Sequence, residues 1–229
     1  MLERIGGARR CFGLSQKPAH SNGTWPQTRT GPDLLTSTAR TDPQVLGWLK
    51  RRLGRDQTAR KLYGSIVTQA RRPAFYADWG VPDTPQGRFE MVVLHLALVV
   101  RRLTREGAAG QQLARALNER FIADMDDTMR EMTFSDLRVP REIKQVTAAL
   151  LDRHKAYSEA LAEPQAGKLQ EAIAAQLHYL GDSGQFDIVG LADYMARAAS
   201  ALDPVSGTRL LDGNLDWPQP DGGTATQRS

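Results

Sequence analysis

The sequence predicts an all-α protein: an irregular bundle of about six to seven helices with disordered N- and C-terminal tails. Three observations lead there. Apolar residues recur at three- and four-residue spacing from Val45 to Leu202. Prolines and glycines punctuate that pattern where helices should stop and start. No alternating strand run, hairpin signal or internal repeat interrupts it. The predicted organisation is a disordered extension over 1–44, a helical domain over 45–203 and a disordered tail over 204–229.

Residues 1–44 are rich in Gly, Pro, Ser and Thr and carry no apolar stripe. Arg4, Arg9 and Arg10 with few acids give a faint transit-peptide signal, and a plain flexible tail is the preferred reading. From Val45, Leu46, Trp48, Leu49 and Leu53 alternate with Lys50, Arg51, Arg52 and Arg55. This reads as a short amphipathic helix. Its basic face could lie on an anionic membrane through Trp48, Lys50, Arg51 and Arg52, or stand in water. Asp56 is read as the cap of a second helix carrying Ala59, Leu62, Tyr63, Ile66, Val67 and Ala70, stopped by Pro73. A loop from Pro73 to Thr84 holds Phe75, Tyr76 and Trp79. It is either packed on itself or an exposed lure for a partner.

Thr84 and Pro85 mark the N-cap and first turn of the next helix, with Asp83 favourable at its positive end. That helix runs to about Arg105 and is apolar on more than one face, so it belongs at the bundle centre. Gly107 and Gly110 are read as the turn after it. Helices follow over about Gln111–Met132, from Pro140 to Pro164, over Leu169–Leu180 and over Ile188–Leu202. The Gly- and Pro-rich stretch after Pro204 is expected to fray.

One cysteine, Cys11, excludes a disulfide framework and a Cys-based zinc site. The longest apolar run, Met91–Val100, is ten residues and contains His95, short of the ~18 a membrane span needs. His95 is read as a hydrogen-bonded core residue, and His154 and His178 as surface residues. The acids Asp124, Asp126, Asp127 and Glu131 share a helix but lack the Glu-x-x-His pairs of a di-iron site. No P-loop, G-x-S-x-G or G-x-G-x-x-G occurs. No metal, cofactor or catalytic residue is expected. The net charge of +4 hides an asymmetry: residues 45–105 carry 12 Lys/Arg against 4 Asp/Glu, and residues 106–229 carry 12 against 19. The two halves could pair internally or leave a cationic face.

Two strings carry a resemblance. IVTQARRPAFYADWGVPDTPQGRFEMVVLHLALVVRRL (residues 66–103) and FIADMDDTMREMTFSDLRVPREIK (121–144) resemble the ubiquinol–cytochrome c reductase chaperone family, in its bacterial form. The likeness extends over about residues 48–162; Thr133, Phe134 and Ser135 depart from the small residues expected there. The resemblance implies a non-enzymatic assembly factor of the cytochrome bc1 complex. Its client would be newly made cytochrome b, with a small partner protein and the ribosome as further contacts and no role for DNA. Its place would be the cytoplasm, with peripheral contact at the inner membrane. The alternative is a basic helical module for RNA or an anionic surface without a dedicated client. One partner surface is expected, joining Arg71, Arg72, Phe75, Tyr76, Trp79, Asp83, Arg88, Arg101 and Arg102 to the acidic helix of Asp124, Asp126, Asp127 and Glu131. The abrupt change at Val45 also suggests that residues 1–44 are an upstream extension and that the native chain starts at or near Val45.

Overall fold

The computed structural model describes residues 43–131, 139–163, 167–181 and 186–220, with side chains from Arg52 onward. Helix α1 spans Pro43–Ala70, α2 Pro73–Ala77, α3 Pro85–Leu103 and α4 Gly107–Glu131. Then come α5 (Val139–Ala162), α6 (Lys168–Leu177), a 3₁₀ turn (His178–Leu180), α7 (Ile188–Leu202) and α8 (Gly207–Leu211). No strand occurs among the described residues.

Helix α3 is the axis, packed against α1, α4, α5 and α7. Its two apolar stripes explain why. Met91, Val93, Leu94, Leu96, Leu98 and Val99 are all buried, so the helix has no solvent side in its middle. Its start follows the expected chemistry: Thr84 Oγ1 accepts from Gly87 N at 3.1 Å and Pro85 occupies the first turn. Gly107 takes φ +64°, which reverses the chain into α4. Gly110 lies inside α4, not in the turn. A Cβ there would meet Leu103 O at 2.1 Å, so the close approach of α3 and α4 requires glycine.

Two further expectations are corrected. Asp56 caps nothing, because α1 runs unbroken for 28 residues. No proline interrupts the stretch, and Gly54 faces open space where its cost is limited to about 1 kcal/mol. A capping Asp would need an extended backbone, and continued i→i−4 bonding outweighs the single cap bond. The body also does not end at residue 203. Ser206 caps α8, Leu210 is fully buried, and Trp217 packs against the core. The expectations for 1–42 and 221–229, and the Thr133–Ser135 departure, lie outside the described residues.

Candidate functional site

The end of α1, α2 and the start of α3 enclose a groove of about 520 Å³ lined by Arg71, Pro73, Tyr76, Ala77, Asp83 and Arg88. Pro73 cannot continue α1, so the chain turns at Arg71 and Arg72 and Pro73 itself opens α2. Tyr76 Oη donates to Ala70 O at 2.8 Å and ties α2 to the end of α1. Burial, then the charge of Asp83, pushes the Tyr76 hydroxyl up to about 12, so it stays a neutral donor. Arg88 Nε donates to Asp83 Oδ1 at 2.6 Å, and that bond holds the Asp83 carboxyl below its usual range. Both members are more than half exposed, so the pair orients the groove rim and adds little stability. Arg71 is exposed beside them.

The acidic face of α4 is tied to α1 through Tyr63. Tyr63 Oη donates to Asp124 Oδ2 at 2.8 Å, and its hydroxyl is raised by burial and by Asp124 while Arg71 and Arg120 oppose the shift. Asp124 also lies 3.6 Å from Arg120, and Asp126 accepts from Arg130 at 2.7 Å. Asp127 and Glu131 are exposed. The rim therefore presents arginine and carboxylate side by side around a tyrosine and a proline.

Other members of the expected surface are elsewhere. Phe75 and Trp79 are buried, which excludes the exposed-lure reading. They pack at 5.2 Å from each other and at 5.0 and 5.6 Å from Tyr194. Arg102 is also buried. It donates to Leu202 O at 3.0 Å and Val205 O at 2.6 Å, and pairs with Glu106. It thus satisfies carbonyls at the C-terminal end of α7. Arg101 lies 3.9 Å from Asp203. Both arginines sit about 20 Å along α3 from Arg88, given 1.5 Å per residue. The single joint surface is therefore divided: Arg71, Tyr76, Asp83 and Arg88 share the groove, and Arg101 and Arg102 do not. Arg72 is half-buried and donates to Gln219. Arg52 is exposed on α1; the side chains of Trp48, Lys50 and Arg51 lie outside the description.

Behind the groove is a polar network that sequence reasoning reached only at His95. His95 Nδ1 lies 2.7 Å from Met91 O, so that nitrogen carries the proton. Nε2 then accepts from Tyr194 Oη at 2.8 Å. Gln69 Nε2 donates to Tyr194 Oη at 2.9 Å and to Pro218 O at 3.0 Å. Every member is satisfied without a charge. Gln69 and Tyr194 carried no motif, and only a polar residue inside an apolar stripe could have marked Gln69.

Burial pushes the imidazoles of His95 and His154 down to about 4. His154, expected at the surface, is half-buried on α5. The sign follows from linkage. Between about pH 6.5 and 4 the unfolded chain binds protons that the folded histidines refuse, so stability falls as pH drops. Each histidine costs about 1.4 kcal/mol per pH unit in that window. Urea midpoints measured at pH 7, 6 and 5 should fall steadily; a flat profile contradicts buried neutral imidazoles.

Among the described residues no helix is long and apolar enough to cross a membrane. Among the described residues the protein is an all-helical bundle with a buried His95–Tyr194–Gln69 hydrogen-bond network and a groove of mixed charge beside α2. Residues 77–217 match the family described as ubiquinol-cytochrome C chaperone, and the chain belongs to it. That match begins at residue 77, inside the first of the two strings rather than near 48, and extends well beyond residue 162 to take in α6, α7, α8 and Trp217. A solved structure, the Cbp3 homolog from Brucella abortus, is 28% identical with a TM-score of 0.67, covering 77% of this chain and 98% of that one. No curated protein matches the chain.

Proposed function

We propose that this protein is a non-enzymatic assembly factor that holds newly made cytochrome b for the ubiquinol–cytochrome c reductase complex. Family membership over residues 77–217 carries the reading. The groove supports it as a client surface. Its exposed Arg71, Arg88 and Asp83 offer charge to polar loops, and Tyr76 and Pro73 offer apolar contact. The client would be met in the cytoplasm as it emerges at the inner membrane; a small partner protein and the ribosome would be companions in the same step.

Deleting the gene should lower assembled bc1 complex and cytochrome b while the cytochrome b transcript is unchanged. Normal complex levels in the deletion strain would sink the assembly role. The groove is tested separately. Arg71→Glu with Arg88→Glu should cut cytochrome b recovered in a mild-detergent pull-down about tenfold, because charge reversal at an interface costs kcal/mol-scale energy. Both side chains are exposed, so the fold should persist by circular dichroism. Unchanged recovery would move the client surface off the groove.

A further inference from the structure

A second and larger cavity, about 680 Å³, opens between α1, the first turns of α4, and α8. Among the described residues Arg52, Arg55, Thr58 and Gln112 line it with Leu113 and Leu211, and none of the described lining residues is a carboxylate. Arg55 Nη1 donates to Gln112 Oε1 at 3.0 Å, which fixes the guanidinium. Its Nε is buried with no protein partner among the described residues. A buried donor of this kind calls for an oxygen. A guanidinium fork matches two phosphate oxygens, and the partial positive end of α4, entering through Ala109, favours the same sign. An adjoining cavity of about 220 Å³ adds Arg60 and Arg120, together with Asp56 and Glu119. Next to Arg52, Leu53 is 67% exposed. A soluble anion would leave that side chain in water, whereas a lipid surface would cover it.

We propose that this cavity seats the phosphodiester headgroup of an anionic phospholipid, with Leu53 entering the acyl boundary and α1 lying on the lipid surface. The site shares no described lining residue with the groove proposed for cytochrome b and does not depend on that reading.

The test is co-sedimentation of the full chain with vesicles of phosphatidylcholine, alone or mixed with phosphatidylglycerol. The mixed vesicles should bind the protein and the neutral ones should not. Arg55→Gln should lower the partition coefficient about fivefold, the worth of one basic residue near an anionic surface. Leu53→Asp should lower it as well, and Arg115→Gln, an exposed arginine paired with Glu119, should leave it unchanged. Equal binding to both vesicles overturns the proposal, as does an Arg115→Gln loss matching that of Arg55→Gln. So does binding of glycerol phosphate, or of RNA, without vesicle binding, since either assigns the arginines to a soluble or nucleic-acid phosphate. If Arg55→Gln does not fold, Arg52→Gln and Leu53→Asp, both at exposed positions, decide the matter.

Discussion

Replacing Glu90 by glutamine is expected to destabilise the protein by about 3–5 kcal/mol, the typical cost of leaving a buried ion without its partner. Glu90 lies inside α3 with its side chain 1% exposed. Arg153 of α5 reaches it with two bonds, Nε to Oε2 at 2.7 Å and Nη2 to Oε1 at 2.5 Å. Tyr179 Oη donates to Oε1 at 2.6 Å from the 3₁₀ turn. One carboxylate thus joins three elements. Burial alone would lower the Arg153 pKa; the bonds and charge of Glu90 reverse that, and the guanidinium is held above its ordinary value. Its other donor goes to Ala149 O at 3.2 Å, and the ring of Phe89 lies 5.8 Å away. None of these can replace the lost negative charge. Glutamine keeps the volume and loses the charge, so the variant reads the ion pair rather than a cavity. Urea unfolding should show a lower midpoint at similar slope. Hydrogen exchange should rise first in α5. The double variant Glu90→Leu with Arg153→Met should recover most of the loss, because it removes both desolvated charges together. A Glu90→Gln midpoint close to that of the parent would show that water already reaches the pair.

What could be read from the sequence depended on whether a signal was local. Thr84 and Pro85 fixed the start of α3 because capping is decided within four residues. The stripes of α3 placed it at the centre because burial on several faces is written in one helix. Asp56 misled as a cap, since an aspartate can cap a helix or sit within one. Charge was harder. The basic and acidic halves suggested pairing, but totals do not say which arginine meets which acid. Arg102 was spent on the carbonyls of Leu202 and Val205, a hundred residues away. The aromatics Phe75 and Trp79 looked like loop residues because Pro73 and Gly80 surround them. Their burial depends on Tyr194, which no local pattern connects to them. At the candidate groove, Arg71, Tyr76, Asp83 and Arg88 could be named because they are close in sequence as well as in space.

The stretch after residue 203 gives the other large expected effect. Gly and Pro there report the lack of long helices, and composition says nothing about packing. A chain ending at Asp203 would lose Leu210, which is fully buried, and Trp217, whose ring lies 5.2 Å from His95. Burying a large apolar side chain is worth about 1.5–3 kcal/mol each. It would also lose Val205 O from Arg102, Pro218 O from Gln69 and Gln219 from Arg72. Ser65 Oγ would lose the indole N–H that it accepts at 2.9 Å. Two of these donors, on Gln69 and Arg102, belong to buried residues, and each unmade bond there costs about 1–3 kcal/mol. The sum is at least about 5 kcal/mol, comparable with the whole stability of an ordinary domain. The truncated chain should therefore be largely unfolded or aggregated at 37 °C, with broad thermal transitions and exposed apolar surface. A chain ending at Pro220 keeps every one of these contacts and should unfold at the parent's midpoint. Trp217→Ala should fall between the two, by about 3 kcal/mol, and should expose the His95 network to water. If the chain ending at Asp203 keeps the parent's midpoint, the domain is complete at α7, and the packing of Leu210 and Trp217 contributes nothing to holding it together.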